Sequence, residues 1–443
     1  MTAPSRPRFR CLGILTAIVA GGLLLAACAT APSPKKPAVA EPTAPVKPVR
    51  TDIRVGVLLP LSGGYGDVGQ SLLNAASLAL FDAKDNRLVL IPRDTSGTAE
   101  GATAALTALL AEDVDVILGP LLAPEARAAA PQAAAAGVPM IAFSSDTAAA
   151  VDGAYLLSFL PEEEVRRTIT YAASQGHKKF AALLPDTPYG QKVQRAFLAA
   201  VLENGGAVTD MVTYPPDTAR LMEPARIVAH YEERRRELEN ERKFLAGLGE
   251  DDLAEELLHR LAKLDTLGEV AYDALLIAEG GGLLRALAPL MPYFDVDPKR
   301  VKFLGTGLWN DAGLAREPQL QGGWFAAPDQ NHAQAFLERY RGIFRSEPPR
   351  IATLAYDAMA LVTSLAGETA PDTAFARQRM QDPNGFIGID GIFRFRPDGT
   401  AERGLAVMTI TNRGLKTLSP APNVFPAAAA TPGGQETTAT ANP

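Results

Sequence analysis

The sequence predicts an α/β protein of two lobes, each a mainly parallel sheet covered by helices on both faces. Short apolar runs alternate with amphipathic helical segments, and this alternation starts again after residue 157. A chain of 443 residues is also long enough to bury two medium-sized cores. Continuous apolar strands are typical of parallel sheets that are buried on both sides. In such folds the ligand crevice lies at the carboxyl ends of the strands.

The N-terminus has the pattern of a secretory signal. Arginines at positions 6, 8 and 10 precede the uncharged run "CLGILTAIVAGGLLLAA", which ends at residue 27. A basic start followed by an apolar run and small residues predicts a signal peptide over residues 1–27. A plain transmembrane anchor, or a signal cut elsewhere, is the alternative, although the run is short for a membrane span.

The end of this run, "LAAC", resembles the bacterial lipobox. That resemblance implies that Cys28 is lipidated and becomes the mature N-terminus, and Ala29 in place of Asp implies sorting to the outer membrane. Cys11 is the only other cysteine, so the mature chain has no disulfide, no thiol nucleophile and no cysteine metal site. The formal charge of −7 indicates no general attraction to nucleic acid.

Low-complexity segments follow the signal and end the chain. Residues 28–50 contain six prolines and predict an extended tether that begins at the lipidated cysteine. Residues 419–443 are rich in Ala, Thr and Pro and predict a disordered tail. A folded body held away from a membrane is therefore expected.

The body divides into two predicted lobes. Lobe 1 comprises residues 51–157 and 308–380, and lobe 2 comprises residues 158–307 and 381–418. The first half of lobe 1 contains strand patterns at 53–60, 87–94, 114–120 and 138–144, with helical patterns at 69–83, 98–112 and 124–136. Lobe 2 continues with helical patterns at 162–175, 189–205 and 281–291, and strand patterns at 178–185, 207–214, 272–280 and 301–307.

A polar helical segment, residues 225–265, interrupts lobe 2. Tyr231, Leu238 and Leu245 repeat at seven-residue spacing, and four leucines after a Gly-containing turn form a second apolar stripe. The pattern predicts an inserted helical hairpin. Its stripes either pack on the lobe itself or form a partner or dimer surface, for which Tyr231, Leu238 and Leu245 are the candidates.

The stretch "VGVLLPLSGGYGDVGQSL" contains Gly64, Gly66 and Gly69 in the G-x-G-x-x-G spacing of dinucleotide-binding loops. In that fingerprint the strand runs directly into the first glycine, whereas residues 60–63 intervene here. Nicotinamide cofactors are also scarce outside the cell. The glycines are therefore interpreted as giving backbone freedom near the crevice, and no cofactor is predicted.

Signatures of catalysis are missing from the sequence. The four histidines are scattered without zinc-ligand spacing, and there is neither a G-x-S-x-G elbow nor a phosphate loop. We therefore assign no catalytic residue and no metal ligand. A carboxylate pair of the kind that hydrolases use cannot be read from a sequence, so a hydrolase stays an open alternative.

Several stretches resemble type 1 periplasmic binding proteins of the leucine/isoleucine/valine-binding kind. The stretches are "VGVLLPLSGGYGDVGQSLLNAASLAL", "VDVILGP", "GVPMIAFSS", "LLPDTPYGQ" and "GIFRFRPDGTAERGLAVMTI", and the resemblance covers residues 53–415. It implies two lobes around a cleft that can close on a small-molecule ligand. The cleft candidates that it implies are Ser62, Tyr65, Ser144, Ser145, Thr147, Tyr189 and Glu279.

The sequence departs from the amino-acid binders in two places. Ala123 and Pro124 stand where those proteins carry a serine, and the stretch "GGGLLRALAPL" that begins at Gly280 lacks the aromatic residue those proteins often show there. Residues 119–122 and 273–294 are instead similar to outer-membrane lipoprotein activators of penicillin-binding proteins. This resemblance implies a non-enzymatic protein that binds a bifunctional penicillin-binding protein and activates peptidoglycan synthesis. The alternative is a lipoprotein that delivers branched-chain amino acids to an ABC transporter.

Overall fold

The computed structural model describes residues 50–425, except residues 152, 250, 330–332 and 368–370. The described residues belong to one compact unit, which begins at Arg50. The predicted signal peptide, the lipidation site Cys28 and the tether up to residue 49 lie outside the described residues.

The first part of the chain builds a sheet of parallel strands. Its strands and helices, in chain order, are β1 (Ile53–Leu59), α1 (Gly66–Ala83), β2 (Leu88–Asp94), α2 (Ala99–Ala111), β3 (Val116–Leu118), α3 (Ala123–Ala135), β4 (Met140–Ala142) and β5 (Ala154–Leu156). The sheet order is β2-β1-β3-β4-β5, and every neighbouring pair is parallel. Ile53, Val55 and Val57 are fully buried in one core, and Leu58 packs in the core on the opposite face. Burial on both faces explains why β1 is apolar apart from Arg54.

The second part continues with a similar alternation. Its elements are α4 (Pro161–Ser174), β6 (Lys179–Pro185), α5 (Pro188–Glu203), β7 (Ala207–Tyr214), α6 (Met222–Val228), α7 (Tyr231–Ala246), α8 (Asp252–Leu261), β8 (Ala274–Ile277), α9 (Gly281–Leu287), α10 (Leu290–Tyr293), β9 (Lys302–Gly305) and β10 (Trp324–Ala327).

The last part returns to the first sheet and then completes the second. Its elements are α11 (Ala333–Phe344), α12 (Ala352–Gly367), α13 (Pro371–Ala374), α14 (Arg377–Met380), β11 (Phe386–Gly388), β12 (Gly391–Phe395), β13 (Ala401–Arg403), β14 (Ala406–Thr411) and β15 (Gly414–Ser419). The second sheet has the order β15-β14-β10-β9-β8-β6-β7, with β14 and β15 antiparallel to their neighbours. Two mainly parallel sheets with helices on their faces confirm the predicted fold class.

The lobe boundaries differ from the prediction in two segments. Residues 308–327 were assigned to lobe 1, but β10 pairs with β9, and Trp309, Leu314 and Leu320 are buried in the core of the second sheet. Strands β11 to β13, assigned to lobe 2, form a separate small sheet whose Phe393 and Phe395 pack in the core of the first sheet. Long-range packing decides both placements, because nothing in the sequence of these short strands indicates which sheet they join.

The predicted tail also begins later than residue 419. Ser419 is the last residue of β15, and its hydroxyl accepts a hydrogen bond from Arg167 Nη2 at 2.7 Å. The ring of Phe425 lies under the Arg394 guanidinium, with 4.4 Å from Cζ to the ring centroid. Residues 426–443 lie outside the described residues.

Close packing between strand and helix explains the last glycine of the G-x-G-x-x-G stretch. A Cβ atom on Gly69 would lie 1.8 Å from the Pro60 carbonyl oxygen, so α1 can pass the end of β1 only with glycine there. Gly190 stands in the same relation to Pro185 at the start of α5. A Cβ on Gly64, in contrast, would meet nothing within 4 Å.

The inserted segment forms a helical pair, α7 and α8, that is anchored to the second lobe. The buried guanidinium of Arg234 donates hydrogen bonds to the carbonyl oxygens of Ala229, Gly268 and Asp295, at 3.0–3.3 Å. These five hydrogen bonds, from Nε and both terminal nitrogens, all go to backbone groups that precede α7 or lie beyond α8. The pair is therefore tied to the body at its base.

The three partner-surface candidates do not form an exposed stripe. Leu238 and Leu245 are only 1% and 5% exposed, and the Tyr231 ring packs edge-on against Phe294 with 5.2 Å between centroids. This corrects the candidate set for Leu238 and Leu245, because buried side chains present no surface to a partner, whereas Tyr231 is only partly buried. The exposed apolar side chains of the pair are instead Phe244, Leu248 and Leu253.

We predict that Leu238→Ala lowers the free energy of unfolding by about 2–5 kcal/mol, because it opens a cavity under α7. The matched control is Leu253→Ala, whose side chain is 64% exposed and should change stability by less than about 0.5 kcal/mol. Urea unfolding followed by circular dichroism measures both. Equal effects of the two substitutions would contradict the packing described here.

Candidate functional site

A cavity of about 440 Å³ opens at the carboxyl ends of the strands, between residues of the two lobes. It is lined by Ser145, Phe159, Pro161, Glu164, Tyr189, Gly307, Leu308, Asn310, Ala327, Pro328 and Arg350. Ser145 lies just beyond β4, Gly307 just beyond β9, and Pro328 directly after β10. This is the crevice position expected for parallel α/β sheets.

The most buried charged side chain of this lining is Glu164. It lies in the first turn of α4, which begins at Pro161, and its residue is only 7% exposed. Its Oε2 accepts a hydrogen bond from the Gly307 amide at 2.8 Å. A Cβ atom on Gly307 would lie 2.2 Å from Glu164 Oε1, so glycine is required for this approach. Burial raises the pKa of Glu164 to about 7, and the Glu162 charge adds to this rise while the Gly307 hydrogen bond opposes it.

Two further carboxylates lie near Tyr189. Glu162 is on the same helical turn as Glu164, and its Oε2 is buried without a hydrogen-bond partner among the described residues. Glu279 follows β8 and accepts hydrogen bonds from the Tyr214 hydroxyl and the Gly280 amide, each at 3.0 Å. Burial raises the pKa of Tyr189, and the charges of all three glutamates raise it further. The negative charges of the three carboxylates therefore all raise the pKa of one phenol, that of Tyr189.

The cations at this cleft are already paired with carboxylates of the chain. Arg350 donates to both Asp390 oxygens, at 2.5 and 3.1 Å, and its guanidinium lies 4.6 Å from the Phe159 ring centroid. At the rim, Lys192 Nζ lies 3.0 Å from an oxygen of Asp146. In the described part of the chain, by contrast, no salt bridge involves Glu162, Glu164 or Glu279. The cleft thus carries unpaired negative charge on the second lobe.

Two of the seven cleft residues that the sequence suggested line the cavity. Ser145 is exposed at its rim, and the Tyr189 hydroxyl shares a hydrogen bond of 2.8 Å with the Thr306 hydroxyl. Glu279 lies close to Tyr189 but outside the lining.

The other four candidates have structural partners away from the cavity lining. The Ser62 hydroxyl donates to Asp94 at 2.6 Å, and the buried Ser144 hydroxyl accepts from the Asp146 amide at 3.0 Å. Tyr65 is half exposed beside the first strand-to-helix turn, and Thr147 begins a short 3₁₀ turn. These residues shape the loops at the strand ends.

Glu164, Phe159 and Arg350 were missed at the level of sequence. The stretch "FLPEEEVRR" offered one signal, because three consecutive glutamates in a first helical turn point in three directions. Glu163 faces Arg396, with 2.8 Å between Oε1 and Nη2, whereas Glu164 faces the cavity. Arg350 gave no signal, because it enters the cleft from the segment between α11 and α12.

The described residues contain neither a metal-binding cluster nor a membrane-spanning helix. Among them, no group of three or more His, Cys, Asp or Glu side chains is arranged to hold a metal ion. No helix in that part of the chain has both the length and the apolar character needed to cross a membrane.

Comparisons with known proteins agree with this architecture. A family model described as "Periplasmic binding protein" matches residues 52–232. An uncharacterized protein of Rickettsia prowazekii is 23% identical over 184 residues, which are 42% of this chain and 49% of that protein. The penicillin-binding protein activator LpoA of Vibrio cholerae is 28% identical over 158 residues, or 34% of this chain and 25% of the activator. The chain thus matches about half and about a quarter of the length of these relatives.

Solved structures extend the likeness to most of the chain. A Rhodospirillum rubrum protein described as a branched-chain amino acid ABC transporter superimposes with a TM-score of 0.66, covering 83% of this chain and 100% of its own at 16% identity. At that identity the likeness concerns the fold alone.

We predict that Glu164→Gln stabilises the protein at pH 8 but not at pH 5. The pKa of Glu164 is about 7 in the folded protein and near 4.5 when unfolded, so the wild-type residue contributes stability below pH 4.5 that is lost as pH rises through 7. Glutamine removes this loss, so the gain at pH 8 should reach about 2 kcal/mol. Urea unfolding from pH 5 to 8 measures it, with exposed Glu256→Gln as the control. Parallel pH profiles of wild type and Glu164→Gln would contradict the assigned pKa.

Proposed function

Because the chain has the fold of the type 1 periplasmic binding proteins, we propose that it is a periplasmic lipoprotein that binds and activates a peptidoglycan synthase. The synthase would be a bifunctional penicillin-binding protein, and the activation would regulate synthesis of cell wall peptidoglycan. The protein itself is not an enzyme in this proposal and uses no cofactor.

The observation that carries the proposal is the match to the activator of Vibrio cholerae over 158 residues. The match spans about a quarter of that activator, so the partner and the activation are proposed for this chain and not transferred with the alignment. The cleft supports the same choice, because its arginine is already occupied by Asp390 and is not free for the carboxylate of an amino acid.

The helical pair α7–α8 supports a protein partner. Phe244, Leu248 and Leu253 are large apolar side chains that are at least half exposed at the end of this insertion. Exposed apolar side chains that lie together are typical of interaction surfaces. We therefore assign the synthase contact to this end of the pair, in place of the buried residues Leu238 and Leu245.

Membrane attachment completes the proposal. Lipidated Cys28 would anchor the chain, the absence of Asp at position 29 favours the outer membrane, and the proline-rich tether would give the body reach across the periplasm. An acidic balance of −7 offers no attraction to nucleic acid.

The second candidate is a substrate-binding lipoprotein of an ABC transporter for branched-chain amino acids. It is supported by the superposition on the Rhodospirillum rubrum structure over 83% of this chain. It requires a cleft that holds the carboxylate and the ammonium of one ligand.

We predict that Cys28→Ala abolishes lipid attachment, because the thiol is the site of acylation. Expressed in a Gram-negative host with labelled palmitate, the variant should accumulate as an uncut precursor without label. The wild-type chain, labelled and recovered with the outer membrane, is the control. A labelled and normally processed variant would contradict the lipoprotein assignment.

We also predict that Phe244→Ala and Leu253→Ala each weaken synthase binding by about 1–3 kcal/mol, because interface energy concentrates in a few apolar anchors. Phe81→Ala is the matched control, since Phe81 is 73% exposed on α1 of the other lobe. Pull-down of purified bifunctional penicillin-binding proteins, with a synthase assay, measures the effect. Retained binding by both hairpin variants would contradict the assigned surface.

A further inference from the structure

Glu164 in the cavity lining, with Glu162 and Glu279 near the Tyr189 phenol, carries negative charge that no salt bridge among the described residues neutralises. Glu164 is nine-tenths buried and has the single hydrogen bond from Gly307, while Glu162 has a buried oxygen with no partner. Glu279 adds a third carboxylate beside Tyr189. Buried carboxylates close to one another are costly unless a proton or a cation accompanies them.

The position of these glutamates in the first turn of α4 does not account for their orientation. A helix N-terminus stabilises nearby carboxylates in general, and Glu163 on the same turn shows the ordinary outcome. It is paired with Arg166 and Arg396, outside the cleft. Glu164 instead points into a cavity of about 440 Å³. Arg350 is the cation of this lining, and its terminal nitrogens bind Asp390 rather than Glu164.

We propose that this cavity is a binding site for an organic cation that carries no carboxylate, with its charged nitrogen on Glu164 and against the Tyr189 ring. Glu162 and Glu279 strengthen the attraction through their charges. An ammonium group gains from both carboxylates and the electron-rich face of a tyrosine. The inference is independent of the proposed synthase partner.

The residues on the opposite side of the cavity exclude a ligand that carries a carboxylate. A carboxylate in the cavity would meet Arg350, whose two terminal nitrogens already bind Asp390 at 2.5 and 3.1 Å. It would also meet the charges of the three glutamates. Displacing a buried partner of an ion pair is costly because Asp390 would be left buried and unpaired. A zwitterionic amino acid therefore fits this cleft less well than its amide.

Cation binding should displace a proton from the site. The groups that face Glu164 are Glu162 on its own helix, the Tyr189 phenol, the Gly307 amide and Arg350. With a pKa of about 7, Glu164 is about half protonated at neutral pH, and a bound cation favours the ionised form. Binding at pH 7 should then release up to about half a proton per ligand.

The experiment compares three ligands with one apolar side chain: L-leucinamide, a cation; N-acetyl-L-leucine, an anion; and L-leucine, a zwitterion. Titration calorimetry of the full chain in detergent at pH 7, in two buffers of different ionisation enthalpy, gives affinity and proton release. We expect leucinamide to bind at least about tenfold more tightly than the other two, with proton release. Two other primary amines, tyramine and 1,5-diaminopentane, broaden the cationic set.

The matched variants are Glu164→Gln, Glu162→Gln and, as the control on the same turn, Glu163→Gln. The first two should weaken amine binding by about tenfold and Glu164→Gln should abolish proton release, whereas Glu163→Gln should change neither by more than about twofold. Melting curves establish that each variant is folded. If a variant fails to fold, calorimetry of the wild-type protein in the two buffers still tests the inference, because it measures proton release on amine binding.

Three results would overturn the inference: no amine bound at millimolar concentration, leucine bound more tightly than leucinamide, or amine binding that persists unchanged in folded Glu164→Gln. Tight leucine binding would also favour the transport function. Synthase pull-down by the same preparations is a separate readout, so failure of the cleft proposal leaves the partner proposal to be judged by itself.

Discussion

Phe159 lies between the guanidinium groups of Arg350 and Arg403, whose Cζ atoms are 4.6 and 5.1 Å from the ring centroid. This contact fixes the segment through which the chain first leaves one sheet for the other. Arg403 also donates from Nε to the Ser158 carbonyl oxygen at 3.2 Å. We call the contact of Arg350 and Arg403 with the Phe159 ring the clamp. Because α4 begins at Pro161, immediately after this segment, the clamp sets the direction in which the first turn of α4 faces. The cleft and its glutamates depend on that placement.

The clamp is held by acidic residues of the first lobe, and this explains the uneven charge of the cleft. Asp390 binds Arg350, and Asp357 lies 3.9 Å from Arg403, with both carboxylates buried. Burial raises the pKa of Asp357 and lowers that of Arg403, so keeping either group charged in the folded protein costs free energy. Arg350 and Arg403 are consequently engaged in ion pairs within the folded body. Among the described residues the glutamates across the cleft have no such ion pairs, and they are the groups to which the proposed cation would bind.

The inserted pair α7–α8 shows a similar separation of structural and free surfaces. Arg234 ties the pair to the second lobe through backbone hydrogen bonds, and Tyr231 packs edge-on against Phe294 of that lobe. Phe244, further along α7, is 62% exposed. A helix anchored at its base can present its far end without loss of stability. The insertion therefore extends the surface of the lobe, and the partner contact proposed for its far end is separate from the cleft.

The sequence by itself determined the alternation of strands and helices and the crevice at the strand ends. Those features follow from local periodicity and from contacts between neighbours in the chain. Only the tertiary structure decided that β10 joins the second sheet, that Leu238 is buried while Phe244 is exposed, and that Glu164 faces the cavity. The hydrogen bond on Glu164 comes from Gly307, 143 positions further along the chain. Burial, and with it the pKa of a carboxyl group, depends on such distant neighbours. No local sequence pattern predicts that these residues come together in the fold.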